Sequence, residues 1–154
     1  MKKIFLVLSI LLTTVASVFA QDMPGSVDEV INWSFDVEYG ECNDARIVIT
    51  VDQKDGWHIY AQKQPEGGIS FPTELNFAAS DDYVLVGKAK EYGAILKEGQ
   101  FPEKVFDGEK AIFKQKIRLK SQNTFKINGT VEYMVCTGEN CLPPKEIDLE
   151  FTVN

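Results

Sequence analysis

The chain has 154 residues, a length that suits one globular domain and leaves no room for two good hydrophobic cores. Hydrophobic residues make up 44% and charged residues 25%, which excludes a chain that is disordered over most of its length. The formal net charge of -7 argues against a basic surface, so we expect no nucleic-acid partner. One histidine and three cysteines are too few for the common zinc sites, and the sequence predicts neither a metal nor a cofactor.

The amino terminus has the layout of a secretory signal peptide. Lys2 and Lys3 precede an apolar run over residues 4–12, and small residues follow up to Ala20. We expect cleavage after Ala20, which leaves an exported domain of residues 21–154. An uncleaved membrane anchor is the alternative, but the apolar run is short for a span and carries polar residues. No second apolar run of spanning length follows, so the mature chain is not expected to cross a membrane.

Short segments in which apolar residues alternate with polar ones recur along the rest of the chain. This period of two, with β-branched and aromatic residues, predicts half-buried strands, whereas no long segment combines a helical period with caps. The predicted strands are residues 33–39, 46–51, 57–60, 74–77, 83–86, 111–119, 125–136 and 146–153. Asn128 and Gly129 place a turn signal inside the seventh strand, where it can break. The prediction is an all-β, immunoglobulin-like β-sandwich with long irregular segments at 62–72 and 91–107.

The most informative motif is CTGENC at residues 136–141, in which Cys136 and Cys141 flank a four-residue turn. A predicted strand leads into the motif, and another follows Pro143 and Pro144. If these strands pair as a hairpin, the cysteines lie opposite each other at a separation that suits a disulfide. Because proline donates no backbone hydrogen bond, we expect the exit strand at the edge of a sheet, open to a partner.

Such a local bridge has two interpretations. A six-residue ring contributes about 2 kcal/mol in the loop-entropy model, whereas a bridge between residues some sixty apart contributes about 4 kcal/mol. The bridge is therefore a weak staple for a domain that is large enough to fold without it. A short exposed ring also exchanges readily with other thiols, which favours redox chemistry. The spacing alone equally allows a structural clasp with no redox role.

The cysteine motif and other segments resemble the amino-terminal periplasmic domain of the thiol:disulfide interchange protein family DsbD. The similar residues are 129–136 with Cys141-Leu142-Pro143-Pro144, then 56–60, then Phe106-Asp107-Gly108, within a likeness that spans about residues 30–153. The turn between the cysteines is one residue shorter than in the best-known members. The resemblance implies an immunoglobulin-like domain with a redox-active cysteine hairpin that carries electrons in the bacterial periplasm as a thiol:disulfide oxidoreductase.

The resemblance also implies partners and residue roles. A membrane electron donor, supplied in trans because no membrane carrier follows in this sequence, would reduce the cysteine pair. The domain would then reduce thioredoxin-fold proteins of the periplasm. Cys141 would form the mixed disulfide with the partner, and Cys136 would resolve it. A cap loop with Phe106 as its aromatic residue, beside Asp107 and Gly108, would cover the cysteines between exchanges.

Two other classes of function compete with redox exchange. One is a non-catalytic immunoglobulin-like binding module whose hairpin is locked by a structural disulfide. The other is a carbohydrate-binding sandwich with Trp33, Trp57 and Tyr60 as a platform, although aromatic residues in strands more often belong to the core. His58 could assist proton transfer, but a lone histidine in a strand is more often structural. Cys42 lies in a predicted hairpin turn, either as a free reactive thiol or as an incidental turn residue.

Overall fold

The computed structural model describes residues 25–108 and 110–153, which contain twelve β-strands and no α-helix. The strands are β1 (Ile31–Tyr39), β2 (Asp44–Gln53), β3 (His58–Tyr60), β4 (Glu74–Phe77), β5 (Tyr83–Leu85), β6 (Lys90–Tyr92), β7 (Ile95–Lys97), β8 (Glu103–Phe106), β9 (Lys110–Leu119), β10 (Phe125–Tyr133), β11 (Val135–Cys136) and β12 (Lys145–Val153). One short 3₁₀ turn, Val27–Glu29, precedes β1. Within the described ranges no helix is long and apolar enough to cross a membrane. The predicted signal peptide, residues 1–20, lies outside these ranges.

The strands form three antiparallel sheets. The first has the order β1-β2-β9-β5, with β6 also paired to β9. The second has the order β12-β10-β4, and the third has the order β11-β3-β8-β7. β12 lies at an edge of the second sheet, as the two prolines before it predict. The all-β fold class and the immunoglobulin-like sandwich predicted from the alternation are confirmed.

The core lies between one face of the first sheet and the inner faces of the other two. Along β2 and β9 every second side chain is buried, which is the pattern of a sheet with one covered face. Aromatic contacts join the layers, with ring centroids 4.8 Å apart for Trp33 and Tyr133, 6.0 Å for Phe35 and Phe151, and 5.2 Å for Phe106 and Phe113. The alternating apolar residues of the sequence therefore define the buried face correctly.

The structure corrects the sequence prediction in two segments. Residues 91–107 are not irregular, because β7 and β8 pair with each other there as a hairpin. Each of these strands has only three or four residues, too few for alternation to stand out. The predicted strand 125–136 is divided at Met134, where the chain leaves β12 and its last two residues pair with β3 instead. This change of partner carries the cysteine motif from the second sheet to the third.

Gly129 allows β10 to run unbroken between its two neighbours. The turn signal at Asn128 and Gly129 does not interrupt the strand, because residue 129 pairs with both β12 and β4. A Cβ atom on residue 129 would lie 2.2 Å from the backbone oxygen of Asn76. We therefore expect Gly129→Ala to lower the free energy of unfolding by about 1–3 kcal/mol, measured by urea denaturation.

A matched control for this substitution is Gly99→Ala. A Cβ atom at residue 99 meets no atom within 4 Å, so this variant should change the free energy of unfolding by less than about 0.5 kcal/mol. Equal stability of Gly129→Ala and Gly99→Ala would contradict the close approach of β4 to β10.

Candidate functional site: a disulfide hairpin at the end of a sheet

The two cysteines of the motif are joined at the end of β11. Cys136 and Cys141 form a disulfide with their Cα atoms 4.0 Å apart, and the two residues make an isolated antiparallel bridge. The amide of Leu142 donates a hydrogen bond of 2.9 Å to the carbonyl of Val135, which closes the hairpin below the sulfurs. The prediction that the pair closes a local bridge is confirmed.

Thr137 organises the turn between the cysteines. Its amide donates to the carbonyl of Asn140 at 2.7 Å. Its hydroxyl oxygen accepts from the amides of Glu139 and Asn140 at 3.2 and 3.0 Å. Serine and threonine hydroxyls favour turns through such local bonds to the backbone. The turn is therefore held by hydrogen bonds of its own that do not depend on the disulfide.

The two cysteines differ in their exposure to solvent. Cys136 is fully buried, with 0% of its surface exposed, whereas Cys141 is exposed. The sequence predicts an exposed ring, and this holds for one of its two cysteines. A sulfur can enter a mixed disulfide with a second protein only where that protein can reach it. Cys141 is therefore the exposed cysteine of the pair, and Cys136 is covered by the surrounding protein.

Strand register determines which side chains surround Cys136. Val135 pairs with Ile59 and Cys136 pairs with His58, so the members of each pair lie on the same face of the third sheet. The Val135 and Ile59 face belongs to the main core. Cys136 lies on the opposite face, where it packs in a small separate cluster with Tyr60 and Val105. We call this group, with His58, the outer cluster.

His58 is the ionisable residue paired directly with a cysteine. Its surface is 5% exposed, and its ring makes an edge-on contact with the ring of Tyr60 at 5.4 Å. Burial lowers the pKa of the imidazole below its ordinary value, and the charge of Lys97 lowers it further. Glu103 and Asp107 oppose this shift. The result favours the neutral ring.

Phe106 does not cover the disulfide in this structure. It lies in β8, pairs with Ile59 across the sheet and is fully buried in the main core, on the face opposite Cys136. The side chain of Asp107 is exposed and forms an ion pair with Lys97 at 3.0 Å. The carbonyl of Gly108 accepts a hydrogen bond of 2.7 Å from Gln53. The cap role of Phe106 stays a prediction, and in this structure β8 extends through the residue.

Gln53 is a structural residue that the sequence did not single out. Its amide nitrogen donates to the carbonyls of Phe106 and Gly108 at 3.0 and 2.7 Å. Its side-chain oxygen accepts from the amide of Ile59 at 2.8 Å. The buried side chain of Gln53, the last residue of β2, therefore hydrogen-bonds to both β3 and the end of β8. Nothing in the sequence marks a glutamine at a strand end for this role.

The basic residue closest in sequence to the cysteine motif is already held in an ion pair. Lys145 is the nearest basic residue in sequence, and its ammonium contacts both carboxylate oxygens of Asp28. Hydrogen bonding between them lowers the pKa of Asp28 and raises that of Lys145. In residues 25–108 and 110–153 no group of three histidine, cysteine or acidic side chains could hold a metal ion. The chemistry open to this site is that of its sulfurs and of His58.

The remaining candidate residues do not join the site. Trp33 stacks with Phe113 at 6.4 Å and contacts Tyr133, and Trp57 is half-buried against the core. Tyr60 is buried in the outer cluster. These aromatic residues therefore do not form an exposed sugar platform. Cys42 is an exposed free thiol in a hairpin turn with a positive φ of 53°.

Fold and site together define a β-sandwich domain with a hairpin disulfide in which one cysteine is exposed. A family model described as "Thiol:disulfide interchange protein DsbD, N-terminal" matches residues 26–152. The chain belongs to this family. A comparison with curated proteins gives no significant match.

Solved structures share the fold at low sequence identity. The N-terminal periplasmic domain of ScsB from Proteus mirabilis is similar with a TM-score of 0.56 and 17% identity, over 83% of this chain and 47% of that chain. The chain thus spans about half the length of that structure. The reduced N-terminal domain of DsbD from Neisseria meningitidis gives 0.50 and 16%, over 78% and 86% of the two chains. The GAE domain of yeast GGA1 gives 0.50 and 11%, over 82% and 93%.

Proposed function

We propose that this domain exchanges electrons by thiol:disulfide interchange through Cys136 and Cys141. The observation that carries the proposal is the local hairpin disulfide with one exposed and one buried cysteine. Membership of the DsbD N-terminal family supports it. The likeness to the solved domains is structural, at low sequence identity, and it supports the fold alone. The proposed redox role therefore rests on the cysteine pair and the family.

The different exposure of the two cysteines supports a division of roles. Cys141, which a partner can reach, forms the mixed disulfide. Cys136, which lies in the same six-residue ring, attacks Cys141 and releases the partner in its reduced form. The overall reaction oxidises the dithiol to a disulfide and reduces the disulfide of the partner by the same two electrons.

We further propose the compartment and the partners. The domain is exported, with a signal peptide cleaved after Ala20, and works in the periplasm. Its electrons come from a membrane donor and pass to thioredoxin-fold proteins. The family supports this assignment as a whole, and the basic and apolar start of the sequence supports export.

The reduction potential of the cysteine pair tests the redox role. The Cys42→Ser substitution removes the third thiol. This variant is equilibrated in thiol redox buffers, and the reduced fraction is measured by alkylation and mass spectrometry. We expect a reversible potential in the range of about -180 to -270 mV that exchange proteins show. The Cys136→Ser, Cys141→Ser double variant is the control for alkylation that does not depend on the pair.

A potential below about -300 mV would contradict the redox role, because the bridge would then resist reduction as structural disulfides do. The alternative is a binding module with a locked hairpin. It predicts that opening the bridge lowers stability or binding and that there is no electron transfer to lose.

A further inference from the structure

The outer cluster contains a polar atom whose lack of a partner calls for an explanation. The Nε2 atom of His58 is buried and makes no hydrogen bond with any residue in the described ranges. Buried polar atoms in native proteins are nearly always hydrogen-bonded, so an exception often marks a functional group. The unpaired atom belongs to the residue directly across the strand pair from Cys136.

The unpaired Nε2 atom can be related to the redox state of Cys136. In the disulfide, the sulfur of Cys136 carries no hydrogen and is at best a weak acceptor. Reduction creates an S–H donor on Cys136. Cross-strand neighbours have Cβ atoms about 4.5–5.5 Å apart, so the side chains of this pair can meet without movement of the backbone. In the reduced form, the S–H group of Cys136 would offer the Nε2 atom of His58 a hydrogen-bond donor.

We propose that His58 is the catalytic base of this exchange and takes the proton of the Cys136 thiol as that sulfur attacks the mixed disulfide on Cys141. This inference rests on the proposed function. The attack forms the Cys136–Cys141 bond and breaks the bond between Cys141 and the partner's sulfur. The partner's sulfur leaves as a thiolate with the electron pair of the broken bond. The proton held by His58 then passes to that thiolate or to water.

The surroundings of His58 suit a base better than a permanent cation. Burial lowers its pKa, so that the ring is neutral and able to accept a proton near pH 7. The charged groups that face it are Lys97, Glu103 and Asp107, and Lys97 is paired with Asp107. Tyr60 is the neighbouring ring, and burial raises the pKa of its hydroxyl, which keeps it neutral. Among these groups the imidazole is the one suited to accept a proton at neutral pH.

The two sulfurs can be followed separately with one reagent. The reduced Cys42→Ser protein is mixed in a stopped-flow instrument with an aromatic disulfide that releases a coloured thiolate. The first release reports attack by the accessible Cys141, and the second reports resolution by Cys136. The Cys136→Ser variant identifies the phases, because it should give the first release alone.

We expect His58→Gln to slow the second release about tenfold at pH 7 and to leave the first within about twofold. Without the base, the second release depends on the small fraction of the thiol that is ionised at this pH. The parent rate should rise with pH through the lowered pKa of the imidazole, because only the neutral ring accepts a proton, and then level off. In His58→Gln the rise should move to higher pH, where the thiol itself ionises.

Controls separate this role from a structural one. Ile59→Val loosens the packing of the same strand on the other face, and it should leave the shape of the pH profile unchanged. Equal second-phase rates and pH profiles in the parent and His58→Gln would overturn the inference. If His58→Gln does not fold, a parent profile that rises only at alkaline pH, where a thiol ionises, would also overturn it. An absent first release would overturn the proposed function itself, whatever the role of His58.

Discussion

Replacing Cys136 by serine is expected to trap a partner on Cys141. In the Cys42→Ser background, Cys141 remains accessible and attacks a disulfide, but no thiol is left in the ring to resolve the adduct. We expect nearly full conversion to a mixed disulfide with a thioredoxin-fold protein, seen by mass spectrometry under non-reducing conditions. In the parent protein, resolution by Cys136 keeps this species transient.

The matched variant Cys141→Ser should give almost no adduct. The remaining thiol of Cys136 is buried, so a second protein cannot reach it while the hairpin is folded. Electron transfer to the thioredoxin-fold protein should fall to the background rate of a small thiol. Transfer at the parent rate in Cys141→Ser, or trapping through Cys136, would refute the assigned roles. Circular dichroism of both variants would show that the fold is kept.

Phe106→Ala is expected to destabilise the domain by about 3–5 kcal/mol, the usual loss when a fully buried phenylalanine is truncated. The ring lies within the main core at 5.2 Å from that of Phe113, and no part of it is exposed. Domains of this size are stable by only about 5–15 kcal/mol, so this loss is a large fraction of the total. Urea denaturation followed by tryptophan fluorescence measures it.

A second phenylalanine provides the control. Phe101 precedes β8 and is 55% exposed, so Phe101→Ala should change stability by less than about 0.5 kcal/mol. The cap hypothesis makes the opposite forecast, that Phe106→Ala barely alters stability and speeds oxidation of the reduced pair by a small oxidant. A stable Phe106→Ala protein with faster oxidation would show that this residue covers the cysteines after all.

Local patterns were sufficient to predict most of the sandwich. The alternation at Ile47, Ile49 and Val51 identifies a strand with one buried face because neighbouring residues alone decide which side chains share that face. The bridge between Cys136 and Cys141 could also be predicted from the sequence, since a short turn between two strand-like segments brings its flanking residues together. Both predictions depend on residues that are close in sequence.

Predictions that need distant pairing could not be made in this way. Asp107 and Gly108 are common turn residues, and they make Phe106 look like part of a loop. Its strand state depends on pairing with β3, more than forty residues earlier. The position of His58 beside Cys136 depends likewise on the register of β3 with β11. A period of two shows that His58 and Tyr60 share a face, but not which strand lies next to them.

The short span of the disulfide has a consequence for how partners distinguish the two redox forms. The bridged residues are five apart in sequence, and the turn and hairpin keep backbone hydrogen bonds of their own. Opening the bridge therefore leaves the strands that frame it paired. A donor and an acceptor that dock over this hairpin would meet nearly the same surface and would compete for it. On the proposed function, we therefore expect binding affinity to discriminate little between oxidised and reduced protein. The relative potentials of the partners would then set the direction of electron flow.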